Sequence, residues 1–408
     1  MDTSTSRPLE GVVVVEMATF VAGPSAGLTL AQLGAEVVRI DPVGGAVDYS
    51  RWPLAENGRS LYWSSLNRGK RSLVVDVRSD AGRDVVRRLV SAPGPDRGIF
   101  VDNAVGQDWL SWESLSAGRA DLIHVHVGGH RDGRAAVDYT VNAEVGVPLV
   151  TGPAGGETPV NHVLPAWDLL AGMSVTTALL AALRRRDRTG AGGRIDIALA
   201  DVALAGVANL GWLSEAASGV VREPIGNAIY GSYGQEFLTC DNRYVMVVAL
   251  TPKQWTALVS VAGAEDAISA LESARGVELR QDESARYRLR AEIGALLAPW
   301  FRANDSATVA AELTAARVLW APYRTFAEAA ASLEGPLRTT DQPGIGQVVS
   351  AESAMRWDDY DDEPMSASAL GADSRDVLIR LGAMTDEEVD GLVRDGVVHE
   401  ATEAEVST

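Results

Sequence analysis

Cysteine is almost missing from this chain. Cys240 stands alone, which excludes an intramolecular disulfide and a Cys-based metal cluster and fits a reducing cytosol, so the cytoplasm is the expected location. Positive charge is also scarce: 36 Lys and Arg face 55 Asp and Glu, a net charge of −19. That balance excludes a general nucleic-acid or anionic-membrane binder, which needs a basic face, and means that an anionic ligand requires a local cationic patch. The five histidines, His124, His126, His130, His162 and His399, fall in no metal-ligand spacing, so no metal is expected. The start MDTSTSRPLEG has no cationic segment followed by an apolar core and does not read as a secretory signal. Long hydrophobic runs are absent too. The most apolar stretches, LLAGMSVTTALLAAL (169–183) and IALADVALAGVANLGWL (197–213), are short and broken by small or polar residues, so they read as buried helices and no membrane span is expected. With 46% hydrophobic and 22% charged residues, the 408-residue chain is expected to be globular. At about 150 residues per domain it has room for two or three.

The first 130 residues alternate β-branched runs with helical patterns. The runs are GVVVVE (11–16), EVVRID (36–41), SLVVDV (72–77), GIFV (98–101) and DLIHVHV (121–127). Continuous apolar strands separated by helices predict a mostly parallel sheet covered on both faces. SAGLTLAQLGA (25–35) has helical character, and Ser79 or Asp80 can cap a helix that places Val85, Val86, Leu89 and Val90 on one face. Residues 165–213 read as helical around a cationic helix end, a glycine turn and the short strand of RRRDRTGAGGRIDI (184–197). QEFLTC and RYVMVV, joined through Asp241-Asn242, predict a hairpin, with helices near 252–262, 286–301 and 305–317 after it. The passage up to Gly346 reads as a return linker. Thr385 and Glu388 carry capping-box spacing for a last helix, and EATEAEVST (400–408) reads as a frayed tail.

Among motifs, GPSAG (23–27) matches Gly-x-Ser-x-Gly, but Ser25 follows the first strand, where a nucleophile elbow is not placed, and a turn opening a helix is favoured. The same loop lacks Gly-x-Gly-x-x-Gly, and no phosphate loop occurs anywhere. His124 and His126 share one face of a strand, which favours a structural role. NRGKRS (67–72) sets Arg68, Lys70 and Arg71 before a strand, either as a solvated face or, with Arg39, as a phosphate-holding patch at a sheet end. Asp168, in NHVLPAWDLLAGM, precedes an apolar helix. An N-cap accepting backbone N–H bonds is the plain reading, and a nucleophilic carboxylate needs the same fixed, water-poor setting.

Together, LEGVVVVEMATFVAGPSAGLTLAQLGAEVVRID (9–41), LNRGKRSLVVDVRSDAGRDVVRRLV (66–90), AGMSVTTALLAALRRRDRTGAGGRIDIALADVAL (171–204), APYRTF (321–326) and LGADSRDVLIRLG (370–382) resemble the family III CoA-transferases, the group of formyl-CoA:oxalate CoA-transferase, carnitine CoA-transferase and α-methylacyl-CoA racemase. The resemblance implies an α/β fold: a large Rossmann-like domain with a parallel sheet, a smaller inserted α+β domain, and an interlocked homodimer. On this chain the large domain would span 1–215 and 335–408 and the small one 225–330, with linkers at 216–224 and 331–334.

It also implies that Asp168 is the nucleophile, forming a mixed anhydride with the acyl group and then an aspartyl-CoA thioester. Coenzyme A enters as the substrate thioester, and no separate cofactor is implied. By the same resemblance, Arg39, Arg68, Lys70 and Arg71 would meet the CoA phosphates and Asn103 the pantetheine or nucleotide. Some positions depart from the family. Thr19-Phe20-Val21-Ala22 replaces His-Val-Gln-Ala, so a glutamine contact is absent, and GSYGQ (231–235) matches the glycine-rich lid loosely. Val137 stands where racemases carry a histidine base before the Asp138-Tyr139 step, which counts against racemisation. The strings RIDPVGGAVDYSRWP (39–53), VDYTVNAEVGVPLVTGP (137–153), NHVLPAWD (161–168) and QPGIG (342–346) resemble a branch that moves CoA between the two carboxyls of one unsaturated diacid. Such a substrate, a dicarboxylic monothioester, needs a cation for its free carboxylate. Arg51 and Arg131 are the candidates, with Tyr139 beside them. Transfer between two different acids, and racemisation, are the alternatives.

Overall fold

The structure is a computed structural model that describes residues 7–358 and 363–402. The chain forms two compact units, one from Met1–Val145, Val163–Glu215 and Leu333–Thr408, the other from Gly146–His162 and Ala216–Ser332. Gly146–His162, which the sequence reading leaves in the large domain, joins the second unit instead. Backbone bonds explain it: Gly226 N–H donates to the Gly152 carbonyl at 3.0 Å and Gly155 N–H to the Pro224 carbonyl at 3.3 Å.

In the first unit, β1 (Val13–Met17), β2 (Glu36–Asp41), β3 (Arg71–Val75), β4 (Ile99–Asp102), β5 (Ile123–Gly128) and β6 (Gly193–Ala198) form a parallel sheet in the order β3-β2-β1-β4-β5-β6. The short strand Val398–His399 adds antiparallel to β3. The central strands are almost wholly buried because both faces are covered, whereas β6 alternates half-buried and exposed residues. One face carries the helices Ala22–Gln32, Ala166–Thr189 and Leu199–Asn209, with Leu30, Ala171, Val175, Leu179 and Ala203 buried against Val14, Val37 and Val125. The other carries Asp80–Val90, Ser374–Arg380 and Asp386–Arg394, with Val85, Val86, Leu89, Val377 and Val389 against Val38, Leu73 and Phe100. Ser79, not Asp80, caps the first of these through the Gly82 N–H, and Thr385 with Glu388 closes the capping box of the last.

The Ala166–Thr189 helix is long and apolar enough to cross a membrane, yet it is a packed element of this unit. Gly172 lets it approach the Ala22–Gln32 helix closely, since a Cβ there would lie 2.1 Å from Ser25 Oγ. Ser25 itself donates to the Ala22 carbonyl at 3.1 Å, so it serves helix packing. At the far end Arg186 is buried and donates to the Pro95 and Arg97 carbonyls, both at 2.8 Å. The presumed return linker is a hairpin, Leu337–Gln342 paired with Gly346–Ala351.

The second unit holds a three-stranded antiparallel sheet, β7 (Gly234–Leu238), β8 (Tyr244–Val248) and β9 (Leu319–Pro322). Asn242 takes φ +59° at the hairpin turn that Asp241-Asn242 predicts. Phe237 and Phe301 stack at 4.1 Å in a core with Trp255, Leu258 and Tyr233, so the GSYGQ segment contributes a buried aromatic residue here.

Strand order reverses between β1 and β4. In an open parallel sheet that reversal splays apart the loops leaving two neighbouring strands, and ligands bind in the crevice beyond the carboxyl ends. Met17 and Asp102 end the two strands at this point.

Candidate active site

A cavity of about 730 Å³ lies at the switch point. Thr19 and Phe20 after β1, Asn103 and Val105 after β4, and Gly128, Val137 and Tyr139 after β5 line it, together with Arg51, Trp52, Tyr62 and Asp168. Asn103 fixes one wall: its amide accepts the Thr19 N–H at 3.1 Å and donates to the Thr19 carbonyl at 3.0 Å. Tyr139 donates to the Val163 carbonyl at 3.1 Å.

Asp168 sits in the wall as the third residue of the Ala166–Thr189 helix, which corrects the expected N-cap role. Pro165 fills the N-cap position, and the helix begins two residues before Asp168. The capping carboxylate comes from elsewhere. Asp138 Oδ2 accepts the N–H groups of Trp167 at 2.7 Å and Asp168 at 3.1 Å, and the buried Asn142 accepts the Trp167 indole N–H at 3.0 Å. The Asp138–Glu144 helix therefore grips the helix start through groups that satisfy its orphan donors. The Asp168 carboxylate is left aimed by its helix but not committed to a backbone donor. Burial, reinforced by the Asp138 charge and opposed by Arg51, pushes it up to about 6. A carboxylate of that basicity is still ionised at neutral pH and is a better nucleophile than an ordinary one.

Arg51 lies over two aromatic rings, with its guanidinium carbon 5.4 Å from the centroid of Phe20 and 5.4 Å from that of Tyr62. Such stacking fixes a cation while leaving its N–H edge available for an anion. Trp52, 77% exposed, stands beside it at the wall. Burial pushes the Tyr62 phenol up to about 12, so it stays a neutral donor.

The other expected cations are placed differently. Arg39 and Lys70 are buried in an ion cluster and present no edge to solvent, which corrects their assignment as phosphate contacts. Arg39 donates to both Asp41 oxygens at 2.9 and 3.0 Å, to Asp48 at 3.1 Å and to Asn67 at 3.1 Å. Lys70 Nζ donates to both Glu16 oxygens, the Pro24 carbonyl and Asn67, all at 2.9 Å. Gly27 makes room for this: a Cβ there would be 1.8 Å from Glu16 Oε2. Burial pushes Glu16 above and Lys70 below their usual ranges, each opposed by the other's charge. Arg68 is also buried and donates to the Ser65 carbonyl at 3.0 Å. Arg71 is half-exposed and pairs with Asp373 at 3.0 Å and Glu36 at 3.7 Å. Arg131 pairs with Asp201 at 2.7 Å in a separate depression, away from the residues that line the Asp168 cavity, which removes it as a candidate for that cavity's carboxylate.

His124 and His126 converge on one acceptor from their shared strand face. Asp102 takes a hydrogen bond from each, at 2.8 Å from His126 Nδ1. Burial raises the Asp102 carboxyl, but the two imidazole bonds prevail and hold it below the usual range. Among the described residues no histidine lines the Asp168 cavity, and Val137 is in its wall.

Sequence reasoning reached Asp168, Arg51, Tyr139 and Asn103 and missed Asp138, Phe20 and Tyr62 as parts of the site. Asp138 acts through tertiary bonds to residues about thirty positions away, and no local spacing reports them.

Comparison with known proteins identifies the family. The pattern described as CoA-transferase family III matches residues 9–373. The 2-methylfumaryl-CoA isomerase of Chloroflexus aurantiacus is 43% identical over 399 residues, covering 96% of this chain and 97% of that protein. The succinyl-CoA–D-citramalate CoA-transferase of the same organism is 30% identical over 311 residues, covering 72% and 73%. The crystal structure of a CAIB/BAIF family protein from Brucella suis superimposes with a TM-score of 0.75 at 28% identity, covering 92% of this chain and 100% of that one.

Proposed function

The chain belongs to CoA-transferase family III, and from that premise we propose that it moves CoA between the two carboxyls of one C5 unsaturated diacid, the C1-to-C4 transfer on mesaconyl-CoA that a 2-methylfumaryl-CoA isomerase performs. The observation that carries this reading is the pairing, in one cavity, of a raised and unbonded Asp168 carboxylate with the clamped Arg51. Asp168 attacks the thioester carbonyl, the C–S bond breaks, and CoA leaves as its thiolate from a mixed anhydride. The thiolate attacks the Asp168 carbonyl carbon, releasing the diacid and leaving an aspartyl-CoA thioester. The diacid turns, its other carboxylate attacks the same carbonyl, and the thiolate then returns to the new acyl carbon. Atoms and charge balance without an oxidant or an external base. Arg51 holds whichever carboxylate is not reacting, and the apolar walls keep water from the anhydride. Asn103 and Tyr139 shape the cavity wall.

Among the described residues no histidine lines the cavity, which favours acyl transfer over proton abstraction at the α-carbon. Purified protein given mesaconyl-C1-CoA alone should form the C4 isomer, followed by chromatography. If conversion requires an added free acid, transfer is intermolecular and the reading is wrong. The assembly is a homodimer in this reading, since Leu170, Met173 and Leu180 on the Ala166–Thr189 helix and Leu204 and Leu210 beside it remain exposed. Light scattering should give twice the 43.1 kDa chain mass, and a monomer would refute that part. The free Cys240 suits a reducing cytoplasm.

A further inference from the structure

Phe20 holds φ +68°, a left-handed conformation that costs an aromatic residue about 1 kcal/mol or more and persists only where its surroundings impose it. The imposing group is Asp48. Its Oδ2 accepts the Phe20 N–H at 2.9 Å, while its own carbonyl accepts the Arg51 N–H at 3.1 Å. One residue thus grips the backbones of both the ring and the cation that meet across the cavity wall. Asp48 is 1% exposed, and its carboxylate is anchored from behind by Arg39 at 3.1 Å. Through Arg39 and Asn67 the anchor continues to Lys70 and Glu16 on β1, so the buried ion cluster terminates at the cavity.

We propose that Asp48 is a positioning residue that makes the cavity selective for acyl groups bearing a second carboxylate, acting through Phe20 to aim Arg51. The proposal rests on the reading that Arg51 receives that carboxylate. Without the Asp48 acceptor, Phe20 relaxes to negative φ, its ring leaves the guanidinium, and Arg51 regains the rotamers that the two rings deny it. An acyl group without a second carboxylate makes no use of Arg51 and is indifferent to the change.

The test compares two ligands in steady-state kinetics: mesaconyl-CoA as substrate, and as inhibitor the analogue whose free carboxylate is replaced by a methyl group. Asp48→Ala should raise KM for the diacid monothioester about tenfold with kcat changed less than about threefold, and leave the inhibition constant of the methyl analogue within about twofold. Asp48→Asn keeps an oxygen for the Phe20 N–H and should restore most of the lost KM. Equal changes in KM and in the inhibition constant, or no change in KM, would overturn the proposal. Should Asp48→Ala fail to fold, Phe20→Gly removes the ring without touching the ion cluster and should reproduce the split, and an unchanged ratio there refutes the idea. Arg51→Gln separates the two levels. If it shows no split, the carboxylate reading itself fails. If it shows the split while the Asp48 and Phe20 variants do not, only the positioning role fails.

Discussion

Asp168→Asn should abolish CoA transfer and, above pH 6, make the protein harder to unfold. The first effect follows from removing the nucleophile while keeping its shape, and losses of about four orders of magnitude are usual for such a change. The second follows from the direction of the titration. Burial and Asp138 raise the Asp168 carboxyl from 3.8 to about 6. The folded state therefore takes up a proton more readily than the unfolded chain, and its ionised form is a liability that is full above about pH 6, shrinks as pH falls through that value and is gone below about 3.8. Asparagine carries no such charge. Thermal unfolding at pH 8 should occur at a higher temperature in the variant than in the wild type, and the gap should narrow below about pH 6 and close only near pH 3.8, the ordinary value of the unfolded carboxyl. In the wild-type enzyme, kcat/KM should fall on the acid side of about pH 6 as the nucleophile protonates. Substantial transfer by the variant, or equal stability at pH 8, would contradict the assignment.

Lys70→Met should destabilise the first unit by about 3–5 kcal/mol at pH 8, because the buried Glu16 carboxylate then keeps only Arg39, at 3.6 Å, and shares that cation with Asp41 and Asp48. The loss should shrink toward pH 5. Burial already raises Glu16, and without Lys70 it rises further, so the folded variant binds a proton as pH falls and recovers the stability that ionisation removes. Combining Lys70→Met with Glu16→Gln should recover most of the loss at pH 8, since neither partner is then left charged and alone. Urea unfolding across the pH range compares both variants with the wild type. A pH-independent loss, or none, would show that the pair is not ionised in the fold.

The sheet was legible because its central strands are buried on both faces, so Val13–Met17, Glu36–Asp41 and Ile99–Asp102 carry adjacent apolar residues, such as Val13 to Val15 and Ile99 to Val101, without the spacing of an amphipathic helix. Caps were legible where they are local, as at Ser79 and Thr385. The strand order was not read at all, and the nucleophile reading of Asp168 came through resemblance, since neither follows from periodicity. The Leu337–Ala351 hairpin was hidden because its strands are largely polar and exposed, and Pro343-Gly344 looks like any linker turn. Lys70 and Arg39 were misread for a related reason. A charge beside other charges looks solvated, and here the neutralising groups Glu16, Asp41, Asp48 and Asn67 arrive from separate segments that only the fold assembles. Asp138 belongs to the same class: its effect on Asp168 exists only after two helix starts have met.

The burial of Lys70 also gives the molecule a built-in reporter. The chain has only two lysines, Lys70 and Lys253, beside 34 arginines. Lys253 is exposed at a helix start, whereas the Lys70 side chain is 1% exposed and holds four acceptors. An amine-acylating reagent therefore finds a single reactive lysine on the folded protein, and mass added at Lys70 counts the molecules whose first unit has opened. The ammonium that ties β1 to its neighbours is thus also a clock for local unfolding beside the cavity, readable by peptide mass spectrometry without a dye or an engineered label.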